Sequence, residues 1–187
     1  MSTLAPTQAA TYDRARRLAN LAVWTAHLQR RRLSVHEPED GEFLLRRWAD
    51  FQFFIVALTR LRRAAALAGK LPRIAEDMRK AIAEFDAAVP MLSDMRNVAE
   101  HFDDYALDKG RNKGIKRGAL EVGAFSDKEF EWLGHKLDAD SALKAAQRLF
   151  NRIKLARSHF PKKVEVCARS GSNCPNSRAM LIVAAMI

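Results

Sequence analysis

Apolar residues return at helical spacing over most of this chain. From Tyr12 to about Leu33, the residues Ala15, Leu18, Ala19, Ala22, Ala26 and Leu33 fall near one side when each position is turned by about 100°. The run Glu37-Pro38-Glu39-Asp40-Gly41 breaks that pattern with turn formers. From about Glu42 to Ala68, Leu44, Trp48, Phe51, Ile55, Leu58 and then Leu61 or Arg62 follow the alternating spacing of a helix packed lengthwise in a bundle. Phe43, Phe53 and Phe54 widen that apolar surface. Gly69 stops the helix, and Leu71-Pro72 opens a third from about Arg73 to Ala88, with Ile74, Met78, Ala81, Ile82 and Phe85 inward. Pro90 opens a fourth, to about Leu107, and the short connections favour antiparallel neighbours.

Beyond Leu107 the pattern loosens. Residues 108–118 hold five basic residues and three glycines and read as a loop. Ala119 to Phe125 fits a short strand or hairpin arm. Ser126-Asp127-Lys128-Glu129 has the capping-box pattern and predicts a short helix through Trp132 and Leu133, stopped by Gly134. Asp138 or Asp140 then caps a last long helix to about His159, with Leu143, Ala146, Phe150, Ile153 and Ala156 inward. After Pro161 comes a polar loop around Cys174 and a wholly apolar end, Met180 to Ile187, too short to span a bilayer. The expected fold is all-α: an antiparallel bundle of about four main helices, an extra N-terminal helix, and a small extended insertion near 112–125. Residues 1–40 form an extension with a basic helix, 41–160 the bundle, and 161–187 a tail.

Composition narrows the class. With 8 Gly, 6 Pro and 2 Tyr the chain lacks the turns of an all-β sandwich, and 48% apolar with 29% charged residues is globular usage. A net charge of +10 suits nucleic acid, and it equally suits arginine-rich solvated helix faces. The start, Met1 to Thr7, lacks a basic and apolar leader, and no apolar run reaches the roughly 20 residues of a membrane span. Cys167 and Cys174 have no metal-ligand spacing. A cytoplasmic chain with reduced thiols is the expectation, with no membrane partner.

One helix face concentrates reactive groups. In Asp94-Met95-Arg96-Asn97-Val98-Ala99-Glu100-His101-Phe102-Asp103-Asp104-Tyr105, the apolar Leu92, Met95, Val98, Ala99, Phe102 and Ala106 share one stripe. Asn97, Glu100 and Asp104 centre the other face, with Arg96 and His101 on flanks about 140° apart on an undistorted helix. Two copies facing each other, or a distortion, are needed to bring Arg96 and His101 together.

Arg96-Asn97, three residues and His101 resemble the motif of the HEPN superfamily, in which an Arg, a polar residue and a short spacer precede a His. The resemblance spans roughly residues 41–160. It implies a helical bundle that dimerises and gathers Arg and His from both copies, cutting RNA without a metal or other cofactor. By position Arg96, Asn97 and His101 are then catalytic, with Glu100, Asp104 and Tyr105 supporting them. The resemblance implies a toxin or phage-defence component, with RNA and an antitoxin protein as partners. A tyrosine modified in some toxin members stands two residues after the His; here Tyr105 stands four after it.

The chemistry agrees in kind. Cleavage through the ribose 2′-hydroxyl needs a base, which an imidazole supplies, and positive charge for the phosphorane, which a guanidinium supplies. Glu100, four residues from Arg96, is placed to pair with it and neutralise that charge. Lys109, Arg111, Lys113, Lys116 and Arg117 are the candidate phosphate-binding residues of the following loop; a merely solvated loop is the other reading. A metal on Glu100, His101 and Asp104 lacks evident further ligands. The leading expectation is a HEPN-like RNA-binding protein or metal-independent endoribonuclease. The alternative is a non-catalytic helical interaction domain, also homodimeric, whose Arg96 to Tyr105 face is a protein contact.

Overall fold

Ala15, Ala19, Ala22 and Ala26 line the buried side of α1 (Gln8–Ser34), none more than 2% exposed. Side chains this small let a second backbone come close, and α2 (Arg46–Ala68) carries Ala57, Ala64, Ala65 and Ala68 on its own buried side. These helices make the most extensive pairing in the molecule. The computed structural model describes residues 5–41, 45–121 and 123–160. Six helices and a two-stranded hairpin make up the regular structure of those residues, so the chain is all-α with a small β insertion.

Polar clamps at the helix ends fix the directions. The Tyr12 hydroxyl donates to the carbonyl of Ile153 at 2.8 Å, and its ring stacks on Phe160 at 4.8 Å. Burial raises the Tyr12 phenol above its ordinary pKa. At the far end of α1, Arg30 Nε donates to Asp140 at 2.6 Å. The start of α1 thus meets the end of α6 (Ala139–Leu155), and its end meets the start. Arg32 reaches Asp50 at 2.8 Å, while Arg46 pairs with Asp40 and donates to the Val35 carbonyl at 2.8 Å, folding α2 back along α1. α3 (Ala75–Ala88) buries Met78, Ala81 and Phe85 and packs on α6 and α2, with Arg62 forked onto Asp86 at 2.6 Å through two nitrogens. α4 (Leu92–Glu100) packs on α2, and α5 (Phe102–Ala106) follows it. One continuous core runs from Tyr12 to Phe160, so the segment marked off as residues 1–40 contributes α1 to it.

The helix expected from Ser126 to Leu133 is a hairpin instead. β1 (Glu129–Trp132) pairs antiparallel with β2 (His135–Asp138), Phe130 facing Leu137 and Trp132 facing His135. Leu133 and Gly134, with φ of 55° and 75°, make a two-residue turn of the kind that matches strand twist. The local cap signal is not idle: Ser126 Oγ accepts from the N–H groups of Lys128 and Glu129 at 3.3 and 3.1 Å. Phe130 and Trp132 overrule it. Two residues apart, they would diverge by about 200° on a helix, whereas a strand buries both, at 0% and 2% exposure. Phe130 stacks on Phe51 at 4.3 Å, and Trp132 meets Trp48 edge-on at 5.1 Å. The extended insertion therefore lies later than residues 112–125. Among the described residues of that stretch, Phe125 is bridged to Phe130 and the Ala124 carbonyl accepts from the Glu131 N–H at 2.8 Å, while Arg117–Ala119 is a 3-10 turn.

Smaller departures follow from which neighbours each helix meets. Leu18 and Phe53 are exposed, while Leu61 and Phe54 are buried. On α6 the buried side is Ala142, Ala145, Ala146, Leu149 and Ile153, leaving Leu143 and Phe150 partly covered. Phe43, Leu44 and everything expected of residues 161–187, including Cys167, Cys174 and the apolar end, lie outside the described residues. No helix among the described residues is long and apolar enough to cross a membrane.

The clamps predict the acid response. Hydrogen bonds from Arg46 and the Glu37 N–H hold the Asp40 carboxyl well below the carboxylate range, and Arg30 lowers Asp140. A carboxyl depressed in the folded state binds fewer protons there than in the unfolded chain. Its stabilisation is complete above the unfolded pKa of about 4 and is lost as pH falls through the folded value. Thermal midpoints should therefore hold above about pH 5 and drop below about pH 4. Asp140→Asn should lower the neutral midpoint slightly and make the acid drop shallower; an acid limb identical to the parent's would show that the Arg30 clamp contributes nothing.

Candidate functional site

The reactive face is carried by two helices rather than one. His101 takes φ −124° and ψ 40°, which ends α4 and begins α5. Its N–H still donates to Asn97 at 3.0 Å and its carbonyl still accepts from Tyr105 at 3.2 Å, so the chain turns without losing both ladder bonds. No Pro or Gly marks the place. The turn changes which aromatic faces the core. Phe102, expected on the buried stripe, is 51% exposed, and Tyr105, expected on the polar face, is 2% exposed. Leu92, Met95 and Val98 are buried as their spacing predicts.

Tyr105 is held by the following loop. Gly110 lies so close that an added Cβ would stand 2.3 Å from the ring. The Asn112 N–H donates to the Tyr105 oxygen at 3.2 Å, and its side-chain amide donates to Asp94 at 3.1 Å. The Gly114 N–H closes the arrangement onto Asn112 Oδ1 at 3.0 Å. The loop is thus fastened to the motif helices. Lys109, Arg111, Lys113, Lys116 and Arg117 are all exposed on it. Lys113 donates to the Asp108 carbonyl at 3.4 Å, and Arg117 lies 3.5 Å from the Asp108 carboxylate. Neither a role for Asn112 nor a tight fit at Gly110 was legible in the sequence; their one signal was their place in a glycine-rich run after an aromatic.

The Arg96 and Asn97 side chains are joined to each other, and neither is hydrogen-bonded to the His101 side chain among the described residues. Arg96 donates to Asn97 Oδ1 at 3.0 Å and forms an ion pair with Glu100, one turn on. Its Nε is buried without a partner. No hydrogen bond joins Arg96 to His101 among the described residues. Arg96 and Asn97 border a cleft of about 310 Å³, with Thr59, Arg62 and Arg63 of α2 on the opposite side. Those arginines were not among the expected site residues. Their signal was weak because Arg62 competed with Leu61 for the buried seam. His101, Glu100, Asp103 and Asp104 are exposed at the helix break. No group of three or more His, Cys, Asp or Glu side chains that could hold a metal occurs among the described residues.

The fastening predicts a ranked pair of substitutions. Gly110→Ala should destabilise the protein by about 1–3 kcal/mol, as overpacking does, because the clash meets a ring rather than a flexible side-chain end. Tyr105→Phe removes one acceptor and should cost about 0.5–1.5 kcal/mol. Urea denaturation of both variants checks the order; a neutral Gly110→Ala would mean that the loop is not seated on the ring. Comparison with family models, with curated proteins and with solved structures finds no match to this chain.

Proposed function

We propose that the protein is a HEPN-like RNA-binding protein that cleaves RNA without a metal as a homodimer, with His101 as base and Arg96 as stabiliser of the phosphorane. The observation that carries this reading is the helix break at His101, which leaves the imidazole exposed one turn before Tyr105, the residue onto which a loop with five exposed cations is fastened. An exposed imidazole can be reached by a substrate hydroxyl, and a loop held in place presents its cations to phosphate at little ordering cost. In the reaction His101 takes the proton of the ribose 2′-hydroxyl, whose oxygen attacks the adjacent phosphorus. The bond to the 5′-oxygen breaks, that oxygen is protonated by the imidazolium of the partner's His101, and a 2′,3′-cyclic phosphate remains. Arg96 turns from Glu100 to the phosphorane. Their pair is four residues apart with Glu100 42% exposed, so parting it costs about 0.3–0.5 kcal/mol. Asn97 steers the guanidinium through its Oδ1.

A second reading rests on that same ion pair. Arg96 already has a carboxylate and an amide, and Glu100, Asp103 and Asp104 stand exposed nearby. A face of mixed sign suits contact with a protein, and the chain is then a non-catalytic helical interaction domain.

The two diverge in an assay with a chelator present. The ribonuclease reading expects cleavage of single-stranded RNA to cyclic-phosphate ends, with DNA left uncut. His101→Ala and Arg96→Ala should each lose about a hundredfold or more, with fold and dimer mass retained. Glu100→Gln should raise the rate by freeing Arg96. A folded His101→Ala variant as active as the parent, or a parent that cuts nothing, decides for the interaction reading. Binding supplies a separate check: replacing Lys109, Arg111, Lys113, Lys116 and Arg117 by Ser should flatten the salt dependence of RNA affinity, because phosphate contacts release counterions.

A further inference from the structure

α1 has two apolar sides. Besides its alanine seam it carries Leu18, Leu21, Trp24 and Leu28, exposed by 49%, 64%, 61% and 44%. At about 100° per residue these four span a band roughly 120° wide, outside the arc of the buried alanines. Four of the ten exposed large hydrophobic residues among the described residues fall in this one stretch, which makes it a patch rather than scatter. Trp24 and Leu28 form one wall of a groove of about 1210 Å³ between α1 and α6, and Leu143 and Phe150 form the other. His27 and Gln147 meet across it at 3.0 Å. Arg31 and Lys154 stand at its rim, Lys154 lying over the Phe150 ring at 5.7 Å, and no carboxylate lines it among the described residues.

We propose that this groove is the docking site for an acidic amphipathic helix, about three turns long, from a protein partner. The length follows from the exposed band: the ten steps from Leu18 to Leu28 rise about 15 Å, with Trp24 and Leu28 lining the groove and Leu18 and Leu21 continuing the apolar face beyond it. The apolar side of the occupant covers Trp24 and Leu28, and its carboxylates meet Arg31 and Lys154; anchors at helical spacing in an apolar groove are a known mode of recognition. Charge selects the sign. On α1 the only acid is Asp13, against Arg14, Arg16, Arg17, Arg30, Arg31 and Arg32. Of the three rim and wall arginines and lysines, only Arg30 is paired among the described residues, with Asp140. A second copy would set this arginine-rich helix against its own like, which electrostatic complementarity disfavours. RNA would meet the cations and stack on Trp24, yet it leaves three leucines uncovered; leucine offers nothing to a base or a phosphate.

The test uses the full chain and synthetic helical peptides of about 14 residues. One has Leu at i, i+3, i+4 and i+7 with Glu elsewhere, a second has Lys for Glu, and a third scrambles the first. Fluorescence anisotropy should show the acidic peptide binding at micromolar concentration, with the other two at least about tenfold weaker. Trp24→Ala with Leu28→Ala should lose about tenfold while charge is unchanged, and both sites are exposed, so the fold is kept. Phe53→Ala, at an exposed position of α2, should change nothing. Iodide quenching gives a second readout, since Trp48 and Trp132 are buried and Trp24 is the accessible indole: the acidic peptide should protect it. Equal binding of the scrambled peptide, or no effect of the Trp24 and Leu28 substitutions, overturns the proposal. So does an oligouridylate whose affinity those substitutions reduce by more than the peptide's. A dimer mass in sedimentation that they abolish would assign the groove to a second copy. Quenching that rises when Ile182 and Val183 are changed to Glu would assign it to the chain's own end.

Discussion

The close approach of α1 and α2 sets the terms for everything else in this molecule. Alanine side chains bring the two helices together without a side-chain entropy cost, but each removes little apolar area from water. The large side chains that anchor α2, Phe51, Phe54, Ile55, Leu58 and Leu61, have few equals on the buried side of α1. α1 is therefore held in good part at its ends. Tyr12 reaches the carbonyl of Ile153, Arg30 reaches Asp140, and Arg32 reaches Asp50. A helix that buries Ala15, Ala19, Ala22 and Ala26 while exposing Leu18, Leu21 and Leu28 has apolar surface left over after the fold is complete, and in α1 that surface stands beside a groove.

A buried guanidinium joins the other half of the chain to this pair. Arg47, 8% exposed, donates to the carbonyls of Leu33 and Ser126 at 3.0 and 2.8 Å, pairs with Asp127, and lies over the Phe125 ring at 5.3 Å. Burying such a charge costs heavily unless partners meet it, and here they come from two separate segments, the end of α1 and residues 125–127. The hairpin is seated beside it by Phe130 on Phe51 and Trp132 on Trp48. Trp132 Nε1 also donates to the Leu120 carbonyl at 3.2 Å. The basic loop thus runs between two fixed points, Asn112 on the motif helices and Leu120 on the hairpin.

What could be read in the sequence was what one segment decides for itself. Helices with a steady seam, such as Trp48 to Leu61, were legible because burial repeats along them. The hairpin was not: Ser126 and Glu129 carry a helix-start signal, its turn is Leu133-Gly134 rather than Asn-Gly, and the deciding force is contact between Phe130 and Phe51. The break at His101 was equally hidden. Tyr105 displaces Phe102 from the core because Gly110 and Asn112, from the next segment, make a place for its ring and hydroxyl. Arg96, Asn97 and the loop cations were legible as polar groups on an amphipathic helix and a glycine-rich loop. Their placement relative to Arg62 and Arg63 depends on packing that no local pattern encodes.

The face around His101 has one electrostatic constraint that ties its parts together. If Arg96 leaves Glu100 for a phosphorane, it exchanges one anion for another, and the carboxylate stays behind. Two like charges about 4 Å apart in water repel by about 1 kcal/mol, and by about four times that near a protein surface. Asp103 and Asp104 add to the burden, being exposed on the same short helix. Under the ribonuclease reading that repulsion has to be offset by positive charge that is already in position. Lys109 follows directly on Asp108 at the end of the motif helices, and the remaining cations lie along a loop fixed at both ends. The ribonuclease reading therefore requires the loop, whereas a protein contact through Arg96 and Glu100 does not.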